Sequence, residues 1–317
     1  MEDTLASIEI GTNSIRMLIA RIDGMDGGLR PVLRKRRLTR LGEGFGTQGS
    51  GTLKEEAMTR SVKALNEFLD LASQQGVASP LVVATGVVRR ATNRDAFVDL
   101  IAQNLKPAIT IISGQREAHL TWKGVTGCLK GGGDADVIFD LGGGSTEFIL
   151  SDIKRREALS MDLGAVTLTD EYLASDPPTA GEIQSLTACI EKEINRRLEP
   201  WKAAIRGRPS IVGTGGTAVT LAAMVHGVEV GDYGETLNGL VIDAEAIRSL
   251  IETMKGMPTN ERLKLKGLEA GREDSILAGA LLVAAVMDFF HADEIIASYS
   301  DILEGMLLDY VEGEVNG

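Results

Sequence analysis

One stretch of sequence decides the fold: Val137-Ile138-Phe139-Asp140-Leu141-Gly142-Gly143-Gly144-Ser145-Thr146-Glu147-Phe148-Ile149-Leu150. Two short apolar runs flank a turn with three consecutive glycines, and this pattern predicts a β-hairpin. Glycine has no Cβ to screen its N–H group, so the turn is suited to binding an anion. Asp140 and Glu147 supply carboxylate oxygens, the ligands that Mg²⁺ prefers. The alternative for this stretch alone is a tight hairpin with incidental polar residues.

A second copy of the pattern lies near the N-terminus, over Ile8-Glu9-Ile10-Gly11-Thr12-Asn13-Ser14-Ile15-Arg16-Met17-Leu18-Ile19-Ala20. When the two stretches are aligned, Glu9 falls on Asp140 and Ser14 falls on Ser145. The spacing between the copies is about the length of one domain. The sequence therefore predicts two duplicated hairpins that could grip an oligophosphate from both sides.

Composition limits the class of protein and of partner. A hydrophobic content of 44% and a charged content of 25% in 317 residues are typical of a globular protein with about two domains. No apolar run reaches the ~20 residues needed to cross a bilayer. Cys128 and Cys189 lack metal-ligand spacing, which favours a reduced, cytoplasmic setting. The net charge of −12 argues against nucleic-acid binding. It also means that an anionic substrate must be bound by a local group of positively charged residues.

Between the two hairpins, predicted strands alternate with predicted helices, which indicates an α/β fold. Leu81–Thr85 is predicted to be a buried strand, and Arg89 follows it at a position where a guanidinium could bind phosphate oxygens. Ile109–Ile112 is the next strand and leads to Glu117, which could act as a general base. A surface arginine and a carboxylate that favours a helix N-terminus are the alternatives, and the residues alone leave both open.

The second half of the chain repeats the alternation. A strand is predicted over Ala158–Leu168, and a helix with a capping box begins at Thr179 and Glu182. A second capping box is predicted at Thr52–Glu55. After a strand at residues 210–212, the loop Gly213-Thr214-Gly215-Gly216-Thr217 precedes a helix, which is an arrangement suited to an anion or a nucleotide.

Taken together, these motifs resemble the exopolyphosphatase / guanosine pentaphosphate phosphohydrolase family (Ppx/GppA type) in its short, two-domain form. This family belongs to the actin, Hsp70 and sugar-kinase superfamily. The resemblance implies two duplicated ribonuclease H-like (actin-like ATPase) α/β domains with an active-site cleft between them. The domains would cover residues 1–124 and 125–299, and a C-terminal helix of about residues 300–317 would pack back on the first domain. The resemblance to the family extends over essentially the whole chain. The stretches that carry it are Ile8–Ala20, Ala84–Asn93, Ile112–Ala118, Val137–Leu150, Leu163–Leu168, Val212–Thr217 and Gly267–Gly279.

The resemblance also implies roles for individual residues. Glu117 would be the base for the attacking water, and Arg89 a catalytic, phosphate-binding arginine. The divalent cation, Mg²⁺ or Mn²⁺, would be bound by Asp140 and Glu147, with Glu9 at the matching position of the first hairpin. The loop at residues 213–217 would lie near a nucleotide. Further phosphate-binding groups would be Gly11, Thr12, Asn13, Ser14, Gly142, Gly143, Gly144, Ser145 and Arg272.

The activity implied is in-line attack of water on the terminal phosphoryl group of inorganic polyphosphate, with release of orthophosphate. The enzymatic alternative is hydrolysis of guanosine pentaphosphate (pppGpp) at its 5′-γ-phosphate, and a sugar kinase is less favoured. An alternative of another class is a non-catalytic regulatory protein that binds polyphosphate or a nucleotide. The family resemblance further implies a homodimer, and the charge and the apolar runs predict no nucleic acid and no membrane among the partners.

The chain departs from the family pattern at five positions. Glu9 replaces the usual aspartate, which affects the placement of a metal or a water at the first loop. The other departures are Arg116 at an often acidic position, Thr167 and Leu303 at common arginines, and Asn238 at a frequent histidine. The loss of these basic residues weakens the case for a long polyanionic substrate.

Overall fold

The computed structural model describes residues 4–23, 28–45, 51–105, 108–152, 155–205, 207–229 and 234–315. The chain forms two compact units, the first made of residues 1–128 and 300–317 and the second of Leu129–Tyr299. The boundary expected after residue 124 lies inside a helix that ends at Cys128, so the first unit extends to the end of that helix. Within the described ranges, no helix is both long enough and apolar enough to cross a membrane.

The first unit is built on a five-stranded sheet of order β3-β2-β1-β4-β5. Strands β1, β2 and β3 are antiparallel neighbours, whereas β4 and β5 run parallel to β1. The strands are β1 (Thr4–Ile10), β2 (Ser14–Asp23), β3 (Gly28–Leu38), β4 (Leu81–Ala84) and β5 (Thr110–Ile111). The helices are α1 (Glu55–Gln74), α2 (Gly86–Arg90), α3 (Arg94–Asn104) and α4 (Gly114–Cys128).

The second unit is built on a six-stranded sheet of order β10-β11-β9-β6-β7-β8. Its strands are β6 (Val137–Leu141), β7 (Thr146–Asp152), β8 (Arg155–Met161), β9 (Ile211–Thr214), β10 (Val241–Asp243) and β11 (Glu294–Ala297). Its helices are α5 (Ala165–Tyr172), α6 (Ala180–Lys202), α7 (Gly215–His226), α8 (Ala244–Lys255), α9 (Thr259–Arg262) and α10 (Ile276–Phe290).

Apart from β10, the two sheets have the same strand order and directions. Strands β6, β7 and β8 repeat the antiparallel β1, β2 and β3, while β9 and β11 repeat the parallel β4 and β5. The predicted α/β class is confirmed, and two such sheets fit the predicted pair of actin-like domains. The cleft between the domains stays a prediction.

Each hairpin is held by the apolar core of its own unit. In the first unit Ile8, Ile10 and Ile15 are fully buried with Phe68 of α1. In the second unit every residue of β6 is buried. Each fully buried side chain of this size contributes about 1.5–3 kcal/mol, so the apolar runs fix the register that places the glycine turns.

Two local predictions were wrong and one is confirmed. The predicted strand Ala158–Leu168 ends at Met161, and α5 begins at Ala165, because the backbone there bonds to the second glycine turn rather than to a strand. Helix α1 has Lys54 as its N-cap without a side-chain cap bond, so no capping box forms at Thr52–Glu55. The capping box of Thr179 and Glu182 is present at the start of α6.

The last helix, α11 (Ile302–Val315), belongs to the first unit and packs against α4; residues 316–317 of the expected helix lie outside the described part of the chain. The two helices approach so closely that a β-carbon on Gly305 would overlap the backbone of Leu120, and one on Gly124 would overlap that of Asp301. Close backbone contact of this kind needs glycine at the crossing point.

We expect Gly305→Ala to lower the free energy of unfolding by about 2 kcal/mol, because the new methyl group meets backbone that cannot move aside. The matched control is Gly313→Ala on the same helix, where a β-carbon meets no atom within 4 Å. This control should raise the free energy of unfolding by about 0.5 kcal/mol through helix propensity. Urea titration of both variants measures the difference, and equal effects would contradict the packing described.

Candidate active site

The two hairpin turns are built in the same way. The N–H of Gly11 donates to the carbonyl of Ser14 at 3.1 Å, and the N–H of Gly142 donates to the carbonyl of Ser145 at 3.0 Å. A β-carbon on either glycine would lie 3.1 Å from that carbonyl oxygen. The turns therefore favour glycine at their first position, and the duplication read from the sequence extends to the hydrogen bonding.

The carbonyl groups of each turn are bonded within their own unit. The Thr12 carbonyl accepts the N–H of Gly42 at 2.9 Å, and the Asn13 carbonyl accepts two N–H groups after β3. In the second unit the carbonyls of Gly142 and Gly143 accept the first three N–H groups of α5, at 2.9 to 3.1 Å. Carbonyl oxygens repel anions. Because the carbonyls of these turns already accept backbone hydrogen bonds, the arrangement suits a phosphate-binding turn.

The N-terminal end of helix α5 packs against the second glycine turn at Gly164. A β-carbon on Gly164 would overlap the backbone of Gly143 and Gly144, so only glycine allows this approach. Thr167, which replaces a common arginine of the family, is buried in the first turn of α5, and its hydroxyl donates to the Gly164 carbonyl at 3.1 Å. Thr167 therefore supports the turn and supplies no cation.

Asp140 and Glu147 lie opposite each other on β6 and β7, and both are buried. The hydroxyl of Ser160 donates to Glu147 Oε1 at 2.7 Å. In the described ranges no group of three or more His, Cys, Asp or Glu residues is arranged to bind a metal. Mg²⁺ is commonly bound by one or two carboxylates, with phosphate and water completing its shell, so this oxygen pair fits that cation.

Glu9 has different partners from Asp140, its counterpart. Its neighbour across the hairpin is Arg16, whose Nε donates to Glu9 Oε2 at 2.7 Å. Thr85 donates to Glu9 Oε1 at 3.1 Å. The second hairpin thus pairs an acid with an acid, whereas the first pairs an acid with an arginine. Metal binding by Glu9 stays a prediction, and these contacts favour a role in holding Arg16.

Glu117 and Arg89, which are far apart in sequence, are brought together by the fold. Glu117 lies in the first turn of α4 with 6% of its surface exposed. Nη1 of Arg89 donates to Glu117 Oε2 at 2.8 Å and to the Ile112 carbonyl at 3.0 Å. Burial raises the pKa of Glu117 to about 7, although the Arg89 charge and hydrogen bond oppose this rise. The carboxyl is therefore poised to exchange a proton near neutral pH.

The glycine loop of the second unit contacts two other predicted site residues. Gly215 has a φ of +84°, and a β-carbon there would overlap the Asp140 carboxylate. A β-carbon on Gly216 would overlap the guanidinium of Arg272, whose Nε donates to Glu269 at 3.1 Å. Asp140, the loop at residues 213–217 and Arg272 thus form one cluster at the start of α7.

The predicted residues fall into two groups, one in each unit. The first contains the turn at residues 11–14 with Glu9, Arg89 and Glu117, and the second contains the turn at residues 142–145 with the cluster around Asp140. Three remaining departures have structural partners: Arg116 pairs with Asp309, Asn238 accepts the N–H of Tyr299 at 2.9 Å, and Leu303 is buried in the core of the first unit.

Sequence reasoning missed three residues of these groups. Arg16 aligns with Glu147 when the hairpin spacing is applied, so the duplication could have found it. Thr85 was also missed: it follows β4 as the predicted Thr214 ends β9, and each precedes a glycine and caps a helix with extended backbone, which is a second signal of duplication. Arg262 is buried and donates to the Glu273 carbonyl at 3.1 Å, next to Arg272, and no sequence pattern marks it.

Comparisons with known proteins identify the family of this chain. The Ppx/GppA phosphatase family matches residues 18–314. Exopolyphosphatase 2 of Mycobacterium tuberculosis is 33% identical over 320 residues, covering 96% of this chain and 97% of that protein. A crystal structure of an Aquifex aeolicus member of the Ppx/GppA family has a TM-score of 0.78 at 30% identity, with 98% of each chain covered. An exopolyphosphatase from Cytophaga hutchinsonii has a TM-score of 0.84 over 98% of each chain, and its 24% identity supports the fold alone.

The family match covers most of the chain, and the Mycobacterium tuberculosis relative is similar over nearly its full length. The resemblance seen in the sequence is confirmed. Both findings show that this chain belongs to the Ppx/GppA phosphatase family.

Proposed function

We propose that this chain is an exopolyphosphatase, which hydrolyses the terminal phosphoanhydride of inorganic polyphosphate and releases orthophosphate. The observation that carries the proposal is the buried Glu117 carboxyl, with a pKa of about 7, bonded to Arg89. A general base works best when its pKa is close to the working pH. The relative in Mycobacterium tuberculosis is itself named an exopolyphosphatase.

In the proposed reaction, deprotonated Glu117 accepts a proton from water as the water oxygen attacks the terminal phosphorus. The new P–O bond forms in line with the bridging bond that breaks, and the shortened chain leaves with that bonding pair. Nη1 of Arg89 donates to both Glu117 and the Ile112 carbonyl, which fixes the guanidinium beside the base. Its planar fork suits the oxygens of the terminal phosphoryl group.

The two glycine turns bind phosphate oxygens through backbone N–H groups and the Ser14 and Ser145 hydroxyls. In the second unit Arg272 adds a positive charge at the start of α7. Asp140 and Glu147 would hold Mg²⁺ or Mn²⁺, and the bound cation would neutralise the negative charge of the phosphate chain. Hydrolysis of pppGpp would use the same chemistry, and it is tested by measuring orthophosphate release from pppGpp as well as from polyphosphate. The homodimer and the cytoplasmic setting stay predictions.

Substituting Glu117 by Gln should reduce kcat on polyphosphate by about 10³-fold with little change in KM, because the water loses its base. Orthophosphate release is measured with polyphosphates of defined length and with pppGpp, each with Mg²⁺ or Mn²⁺. Glu193→Gln, at a half-buried glutamate of α6 that pairs with Arg196 in the second unit, is the control and should keep wild-type turnover. Turnover by Glu117→Gln at the wild-type rate would refute the assignment of the base. Absence of release from either substrate by the wild type would refute both activities.

The rate should increase with pH. Glu117 must be deprotonated to act, and its pKa in the free protein is raised to about 7, so kcat/KM should rise as pH passes through 7 and level off above it. Because Arg89 lowers this pKa, Arg89→Gln should move the midpoint to higher pH as well as lowering kcat. A rate that is already constant from pH 5.5 upward would contradict this account.

The two hairpins should differ in their response to the cation. Asp140→Asn should raise the Mg²⁺ concentration needed for half-maximal activity by on the order of 10-fold or more, because it removes a proposed ligand. Glu9→Gln should change this concentration far less, since Glu9 is already paired with Arg16. Mg²⁺ titrations of activity and of thermal unfolding compare the two variants, and equal shifts would assign Glu9 to the metal site.

A further inference from the structure

Asp301 occupies a buried position at the start of α11, within the first unit. Its Oδ1 accepts the N–H of Leu303 at 3.0 Å, so one oxygen caps the helix. Its Oδ2 is bonded to Nη1 of Arg16 and lies 3.8 Å from Nη1 of Arg34. Only 3% of the residue is exposed, so water cannot replace these partners. The proposed function gives this residue no role.

Arg16 connects Asp301 to Glu9. One side of its guanidinium is bonded to Asp301, and its Nε donates to Glu9 Oε2 at 2.7 Å. Glu9 in turn lies below the first glycine turn, where a β-carbon on Gly11 would be 3.4 Å from Glu9 Oε1. The charges of Glu9 and Arg16 both act on Glu117. Asp301 and Glu9 bond to different nitrogens of the Arg16 guanidinium, so together they define its plane and its direction.

We infer that Asp301 is a positioning residue for phosphoanhydride hydrolysis, which fixes Arg16 and through it the Glu9 carboxylate beneath the first phosphate turn. This inference rests on the proposed function, because it concerns the same reaction. A misplacement of about 1 Å caused by a mutation far from the chemistry can reduce a rate by about 10²-fold, so loss of the Asp301 contact should have a measurable effect.

Glu304 is the matched control. It is also 3% exposed, lies in the first turn of the same helix and pairs with Arg34 from the same sheet. Its Oε2 accepts the N–H of Asp301 at 3.0 Å. In the described structure its ion pair is with Arg34 and not with Arg16. Neutralising Glu304 therefore disturbs the same buried region without releasing Arg16.

The test compares Asp301→Asn, Asp301→Glu and Glu304→Gln with the wild type in orthophosphate release from polyphosphate, together with thermal unfolding. Asp301→Asn keeps an oxygen for the Leu303 N–H but loses the charge that holds Arg16. We expect kcat to fall about tenfold with KM within about twofold of the wild type. Asp301→Glu should recover part of the lost kcat, and Glu304→Gln should stay within about twofold of the wild type.

The inference would be overturned if Asp301→Asn kept the wild-type kcat. It would also be overturned if Glu304→Gln lost as much kcat as Asp301→Asn. If Asp301→Asn does not fold, Arg16→Lys replaces it, since lysine keeps the charge but cannot bridge two carboxylates. Wild-type kcat in Arg16→Lys would overturn the inference, and so would failure of both variants to fold, because the network would then serve stability alone. Wild-type protein without activity on either substrate would instead refute the proposed function.

Discussion

The burial of one carboxyl against one guanidinium is the interaction on which the proposed chemistry depends. Glu117 is removed from water, which favours its protonated form, and Arg89 at 2.8 Å favours the charged form. Either effect alone would give a poor base at neutral pH: a buried carboxyl without the arginine would stay protonated, and an exposed one would be too weak. The balance between them requires α2, which carries Arg89 after β4, and α4, which carries Glu117 after β5, to lie side by side.

The two units contain similar sheets and hairpins, but the charged residues of the two hairpins differ. Both hairpins close through the same glycine-to-serine bond, and both have their turn carbonyls bonded from a neighbouring segment. The strand position opposite the acid differs, with Glu147 in the second unit and Arg16 in the first. An acid pair suits a cation, whereas an acid–arginine pair neutralises itself. In the proposed mechanism the cation therefore belongs to the second unit and the base to the first.

Much of this arrangement could be predicted from the sequence because its signals are local. The glycine turns, the strand before Arg89 and the position of Glu117 at a helix start all follow from patterns within about ten residues. The contact between Arg16 and Asp301 could not, since 285 positions separate them and only the return of α11 brings them together. The error at Ala158–Leu168 has the same cause, because Gly164 packs on a distant backbone. The raised pKa of Glu117 likewise depends on tertiary burial.

The most direct test of the central claim is the titration of the Glu117 carboxyl itself. The protein is labelled with ¹³C at the glutamate side-chain carboxyl, and the Glu117 signal is assigned by its absence from Glu117→Gln. Its chemical shift is then followed by NMR as pH is raised. The account predicts a midpoint at about 7. A midpoint near the ordinary value of 4.5 would contradict it.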